Sequence, residues 1–184
     1  MDGLLAETCA ILPGACAPGG TASDLVARLA GTLAMLGICW RLSAIDLREG
    51  ILPNEWVAAL AATGALTAAL SPVSTDWRGA AVGAAVAFSF AYAMRWATSR
   101  AFGYETAGFG DVKFAAAAGV WLGVGALNAM ALIVAATGLL QVCLDRASGV
   151  DREVRLGPHL CFALAFVHSM ALFGVEVGPG WPFS

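Results

Sequence analysis

Charge is scarce in this chain. Acidic and basic residues fill 12% of its 184 positions, against about 25% in a typical soluble domain. Hydrophobic residues fill 59%, and the mean hydropathy is +0.77. That balance argues against a water-soluble domain and for a single integral membrane domain. Excess positive charge is also missing: the net charge is −3, so no nucleic-acid partner is expected. The five cysteines form no C-x-x-C pair, which leaves no sign of a zinc site. His159 and His168, nine residues apart, fall on nearly opposite faces of a helix and are not a metal pair. No metal and no cofactor are expected. Cys39, Cys143 and Cys161 lie in apolar runs and read as small buried hydrophobes. Cys9 and Cys16, in "CAILPGAC", can close a small disulfide loop where that end meets an oxidising compartment. The N-terminus lacks the basic n-region of a signal peptide, and Glu7 interrupts its short apolar stretch. Residues 1–23 are therefore read as a retained leader with little fixed structure.

What is present is apolar sequence in six segments: residues 25–45, 55–71, 79–97, 112–123, 126–144 and 157–177. The fourth and fifth form a nearly unbroken run of 33 residues, about 50 Å long as one helix. A bilayer core is about 30 Å thick. The run is expected to turn back at "GVG", residues 123–125. The fourth span is then short, and so is the second. Short spans fit where their ends line a wet cavity within the protein rather than lipid. The expectation is an all-α, polytopic membrane protein with six transmembrane helices. Residues 24–178 form the membrane domain, flanked by the leader and a tail at 179–184.

The connections after the odd-numbered spans, with the adjoining span ends, carry Arg41, Arg48, Arg95, Arg100, Lys113, Arg146, Arg152 and Arg155. Only Arg28 and Arg78 fall toward the other side. Basic residues accumulate in cytoplasmic loops, so the loops at 46–55, 98–111 and 145–156 are placed in the cytoplasm. Both termini then face outward. Arg41 and Arg95, near the cytoplasmic ends of their spans, are expected to snorkel to the interface.

An aspartate and a lysine stand at the mouth of the fourth span, in "GFGDVK" at residues 108–113. Ionisable groups at membrane depth mark candidate functional sites. The same membrane face holds "AIDLREGILPNEW", with Asp46 at the end of span one. Two carboxylates brought together cannot both ionise. One then takes a proton from water while the other donates to a scissile carbonyl oxygen, as in an aspartic protease. Asp46 and Asp111 are the candidate catalytic pair. Alone, Asp46 reads as a loop carboxylate, and Asp111 also suits a helix N-cap.

These stretches carry a family resemblance. "AIDLREGILPNEW", then "ETAGFGDVKFAAAAGVWLG", then "LGPHLCFALA" resemble the prepilin peptidases, also called type IV leader peptidases. That family is similar in its six spans and its two aspartates, the second in a G-x-G-D motif, here Gly108, Phe109, Gly110 and Asp111. Val112 and Lys113 match its V-K continuation, Glu105 its upstream glutamate, Leu52, Pro53 and Asn54 its I-P-N, and Gly157 and Pro158 its last-span G-P. The resemblance covers about residues 30 to 175. It implies a GxGD-type aspartic endopeptidase of the cytoplasmic membrane, its site facing the cytoplasm. Such an enzyme removes a short basic leader from prepilin or pseudopilin precursors of type IV pili and type II secretion. Larger bacterial members carry an extra cytoplasmic loop with two C-x-x-C pairs, associated with N-methylation. No such insert separates spans one and two, so this chain resembles the short peptidase-only members, and methyltransferase activity is not expected.

Other residues keep two readings. Gly108 and Gly110 are turn glycines, or openings that let a substrate backbone reach the carboxylates. Lys113 contacts the interface or lipid phosphate in preference to tuning the pair. Glu105 orients its loop or binds a basic leader, or is a solvated charge. Pro53 and Asn54 shape the loop opening span two. Two further functions fit parts of the pattern. A presenilin or signal-peptide-peptidase-like protease also uses G-x-G-D, but places its first aspartate inside a span. A small proton-coupled transporter would place acidic groups near the bilayer midplane, and spans two, three and six show none there.

Overall fold

The structure is a computed structural model describing residues 22–71, 77–103, 108–149 and 155–175. The leader with Cys9 and Cys16, the tail at 179–184, and Glu105 lie outside the described residues. Within those bounds the chain is all-helical. The helices are α1 (Ala22–Glu49), α2 (Asn54–Leu70), α3 (Trp77–Phe102), α4 (Phe109–Leu122), α5 (Leu127–Ala147) and α6 (Leu156–Leu172). Each coincides with one of the six apolar segments. Three of them, α1, α3 and α5, are long and apolar enough to cross a membrane. The expected short segments are short helices: α2 has 17 residues and α4 has 14. The long run breaks where expected. Helix α4 ends at Leu122, and Gly123 turns the chain with φ of 62°, a conformation that costs glycine little.

The largest extensions past the apolar boundaries are at the C-terminal ends of two helices, while α6 ends at Leu172, short of the expected 177. Helix α1 continues through Glu49 and α3 through Phe102. A helix leaving a bilayer needs backbone hydrogen bonds but no apolar side chains, so hydropathy underestimates it. Asp46 therefore sits on the last turns of α1, not in a loop. Gly50, at φ of 69°, ends that helix, and its N–H closes on the Asp46 carbonyl at 2.9 Å.

Helix α4 is the hub, packing against α2, α3 and α6, while α1 packs on α2 and α6. Half of α4 is buried, including Phe114, Ala118 and Leu122. Its contact with α3 is close: a Cβ at Gly119 would lie 2.4 Å from the Gly83 carbonyl oxygen. Small residues let membrane helices approach this way. Helix α5 leans on α6 with only Met130 buried. The outer surface is apolar. Trp40, Leu33 and Leu132 are 78%, 70% and 70% exposed, an arrangement that water opposes and lipid accepts. This is a membrane protein. Cys39 and Cys161 are buried, as expected, whereas Cys143 is exposed on the outer face of α5. That exposure corrects the expectation of a buried thiol; on a lipid-facing helix an apolar side chain gains nothing from turning inward.

Several polar side chains inside the bundle hydrogen-bond one another. Arg28 Nε donates to Ser71 Oγ at 3.1 Å, and Thr32 Oγ1 lies 3.0 Å from His168 Nε2. His159 Nε2 pairs with Gln141 Oε1 at 2.6 Å. The two histidines face different partners, and no group of three or more His, Cys, Asp or Glu side chains that could hold a metal occurs among the described residues.

Candidate active site

One end of the bundle gathers the two aspartates, the start of α2 and the start of α6. Asp46 arrives from the last turns of α1 and is only 6% exposed. The first turn of α6 meets it twice. The Gly157 N–H donates to Asp46 Oδ2 at 3.1 Å, and Arg155 Nη1 donates to the Asp46 carbonyl oxygen. A Cβ on Gly157 would fall 2.6 Å from the Asp46 carboxyl carbon. The contact therefore exists only because residue 157 has no side chain.

Asp111 stands in the first turn of α4, ahead of the apolar stretch that begins at Val112. The N-cap is Gly108, not Asp111, which corrects the N-cap reading. Asp111 sits three residues further on, and its Oδ2 reaches back to accept the Gly108 N–H at 3.1 Å. Its own N–H donates to the Gly108 carbonyl at 3.2 Å. Side-chain acceptance of an orphan helix N–H is the capping-box geometry. Burial pushes the Asp111 carboxyl above its ordinary value. The Gly108 N–H pulls it down, the nearby Asp46 charge pushes it up again, and Arg95 opposes that push. Burial likewise raises the Asp46 carboxyl, opposed by the Gly157 N–H and the Arg155 charge. Arg95, expected only to snorkel, bears on Asp111.

Lys113 has protein partners that the sequence did not announce. Its Nζ donates to Asn54 Oδ1 at 2.8 Å and lies 5.0 Å from the Phe109 ring centre. Asn54 opens α2, with Pro53 as N-cap at φ of −64°, the angle proline imposes. Neither Gly108 nor Gly110 has a positive φ, so neither is a left-handed turn glycine. At Gly110 a Cβ would lie 3.1 Å from Leu52 Cβ, so this glycine lets the 50–53 loop rest on the start of α4. The bond from Lys113 to Asn54 then holds the start of α2 against the first turn of α4.

Sequence reading missed the partnership of Arg155 and Gly157 with Asp46. The Gly-Pro at 157–158 was the available signal, but it named a motif and not a contact. Beyond the carboxylates, an apolar groove of about 350 Å³ runs between α3 and α5, lined by Phe90, Met94, Ala115, Met130 and Val134 among others. Ala115 is one helical turn beyond Asp111.

The model of the type IV leader peptidase family matches residues 33–143. The chain is 34% identical over 145 residues to a prepilin leader peptidase/N-methyltransferase of Pectobacterium carotovorum, covering 79% of this chain and 49% of that protein. A protein of the same name from Burkholderia pseudomallei is 37% identical over 109 residues, 58% of this chain and 35% of the relative. A type 4 prepilin-like proteins leader peptide-processing enzyme of Escherichia coli is 29% identical over 142 residues, covering 76% and 52%. The chain thus spans about half the length, or less, of the relatives it matches. No solved structure matches it.

Proposed function

Because this chain belongs to the type IV leader peptidase family, we propose that it is a membrane aspartic endopeptidase. It cleaves the short basic leader from prepilin-like or pseudopilin precursors. The observation that supports this reading is that Asp46 and Asp111 stand at the same end of the bundle. They come from separate helices, each accepts a glycine N–H, and the Asp46 charge helps to raise the Asp111 carboxyl.

In the proposed reaction one carboxyl is ionised and takes a proton from a water molecule. The resulting hydroxide attacks the scissile carbonyl carbon while the protonated partner donates to the carbonyl oxygen. Collapse of the tetrahedral intermediate then returns a proton to the leaving amine. No covalent nucleophile and no metal are required. The basic leader stays on the cytoplasmic side. The apolar helix of the precursor lies along the groove between α3 and α5, which brings its start to Ala115 and the aspartates. All six helices cross the cytoplasmic membrane in this reading, with both termini outside. The short α2 and α4 end beside the polar site and not in lipid.

Relatives are named both peptidase and N-methyltransferase. These 184 residues contain no C-x-x-C pair, and for them we propose cleavage without methyl transfer. The test is to incubate the purified chain with prepilin-like peptides and locate the cut by mass spectrometry. A cut between leader and apolar helix, leaving an unmodified N-terminus, is expected. Intact peptide at high enzyme concentration defeats the reading. S-adenosylmethionine-dependent gain of one methyl group defeats its second part.

A further inference from the structure

We propose that the first turn of α6 is the holder of Asp46, with Arg155 and Gly157 as positioning residues for the peptidase reaction. The proposal rests on the aspartate reading given above. Asp46 lies near the C-terminal end of α1, where the helix dipole presents its negative pole. A carboxylate there is electrostatically misplaced, and α1 ends only a few residues later at Gly50. Without help it would be a poorly fixed acid.

The start of α6 supplies the help in two places. Arg155 brings a guanidinium to the C-terminal carbonyls of α1 and donates to the carbonyl of Asp46 itself. The same guanidinium packs 3.8 Å from the Cβ position of Gly50, the residue that ends α1. Gly157 offers its N–H, at the positive pole of α6, to Oδ2. One contact fixes the main chain of Asp46 and the other its carboxylate. Together they leave the side chain little rotational freedom.

The absence of a side chain at 157 is part of the device. An added Cβ would stand 2.6 Å from both the carboxyl carbon and Oδ2 of Asp46. The carboxylate is the movable partner in that clash, so alanine would displace it before it displaced the helix. The docking of α6 does not depend on this contact. Ala163, Leu164 and Val167 are fully buried elsewhere along it. Stability and positioning can therefore be separated by experiment.

The test uses the full chain in detergent with a prepilin-like peptide, reading kcat, KM and thermal midpoint. Gly157→Ala is expected to lower kcat about a hundredfold, the scale of a 1 Å misplacement, with KM within about twofold of wild type. Arg155→Gln should lower kcat about tenfold, the scale of one charge-assisted hydrogen bond. Arg155→Lys, which keeps a charged donor, should recover part of that loss. Wild-type kcat in Gly157→Ala overturns the proposal, and so does a rise in KM with kcat unchanged. Should Gly157→Ala fail to fold, the arginine pair decides: equal kcat in Arg155→Gln and Arg155→Lys overturns it. Asp46→Asn and Asp111→Asn are measured alongside. If they cleave normally, the aspartate mechanism itself has failed. If they are inactive while the Gly157 and Arg155 variants match wild type, only the holder has failed.

Discussion

Lys113 Nζ donates to Asn54 Oδ1 at 2.8 Å, joining residues 59 positions apart. The bond ties the first turn of α2 to the first turn of α4, and so fixes the loop after Asp46 against the helix that carries Asp111. Neither partner has a proton-transfer role in the proposed reaction. Lys113→Ala and Asn54→Ala are each expected to reduce peptide turnover about three- to tenfold, the scale of one hydrogen bond. The double variant should be little worse than either single, because both remove the same contact. A double-mutant cycle on kcat/KM checks this. Fully additive losses would show that the two side chains act separately.

The positions of the six helices were legible because each apolar run is long enough to demand burial from water. The reversal at residues 123–125 was legible because 33 apolar residues exceed a bilayer. That Asp46 and Asp111 belong to one end of the bundle followed from the basic loops. What stayed hidden depends on contact between distant segments. Arg155 registered only as one more cytoplasmic charge, and Gly157 as half of a dipeptide, although they meet Asp46 from 109 and 111 residues away. No periodicity encodes such a meeting. The Lys113 contact is hidden for the same reason, and residue type alone lets Asp111 suit a cap although Gly108 holds that place.

The close approach of α3 and α4 should be sensitive to one methyl group. In Gly119→Ala the added carbon would meet the Gly83 carbonyl, a backbone atom that cannot rotate away. A loss of about 1–3 kcal/mol is expected, as for overpacking generally. Gly138→Ala on α5 is the control, since nothing lies within 4 Å of its Cβ position. It should match wild type or gain stability through helix propensity. Thermal midpoints in detergent compare the two, and equal midpoints would show that the α3–α4 contact is looser than described.

Orientation can be read with single cysteines in a cysteine-free background. Ser148 ends α5 on the side of the aspartates, and the exposed Val124 lies at the opposite turn between α4 and α5. In intact cells a membrane-impermeant maleimide should label Val124→Cys and spare Ser148→Cys until the membrane is opened. The reverse pattern would place the aspartates outside the cell, away from any cytoplasmic leader.

Burial raises Asp111 above its ordinary carboxylate value, and the Asp46 charge adds to that push. The folded chain then keeps a proton there at pH values where the unfolded chain has released it. Stability therefore falls as pH rises from about 3.9, the unperturbed value, through the raised one. Asp111→Asn removes this dependence. It should melt higher than wild type near pH 8 and show no such gain below about pH 3.9. A lower midpoint near pH 8 would mean that the Gly108 and Arg95 interactions outweigh burial.

The same substitution should end catalysis, and the contrast between stability and activity is the sharpest test of the pair. Asp46→Asn and Asp111→Asn nearly preserve shape, and an amide oxygen can still accept the N–H of Gly157 or Gly108. What each loses is the ability to hold or release a proton at neutral pH. If one aspartate activates water and the other protonates the carbonyl oxygen, loss of either stops the reaction. Each single variant is expected to fall at least about a thousandfold, and the double variant little further, since the two act as one unit. Precursor binding should survive in all three. In the wild type, kcat/KM should decline on both the acid and the alkaline side, reporting the two macroscopic ionisations of the coupled pair. The assay is precursor cleavage at matched enzyme levels, with folding checked by the midpoints above. Near-normal turnover in a folded Asp46→Asn would sink the two-aspartate mechanism. Asp111 would then need another partner, and Glu105 is the first candidate for substitution.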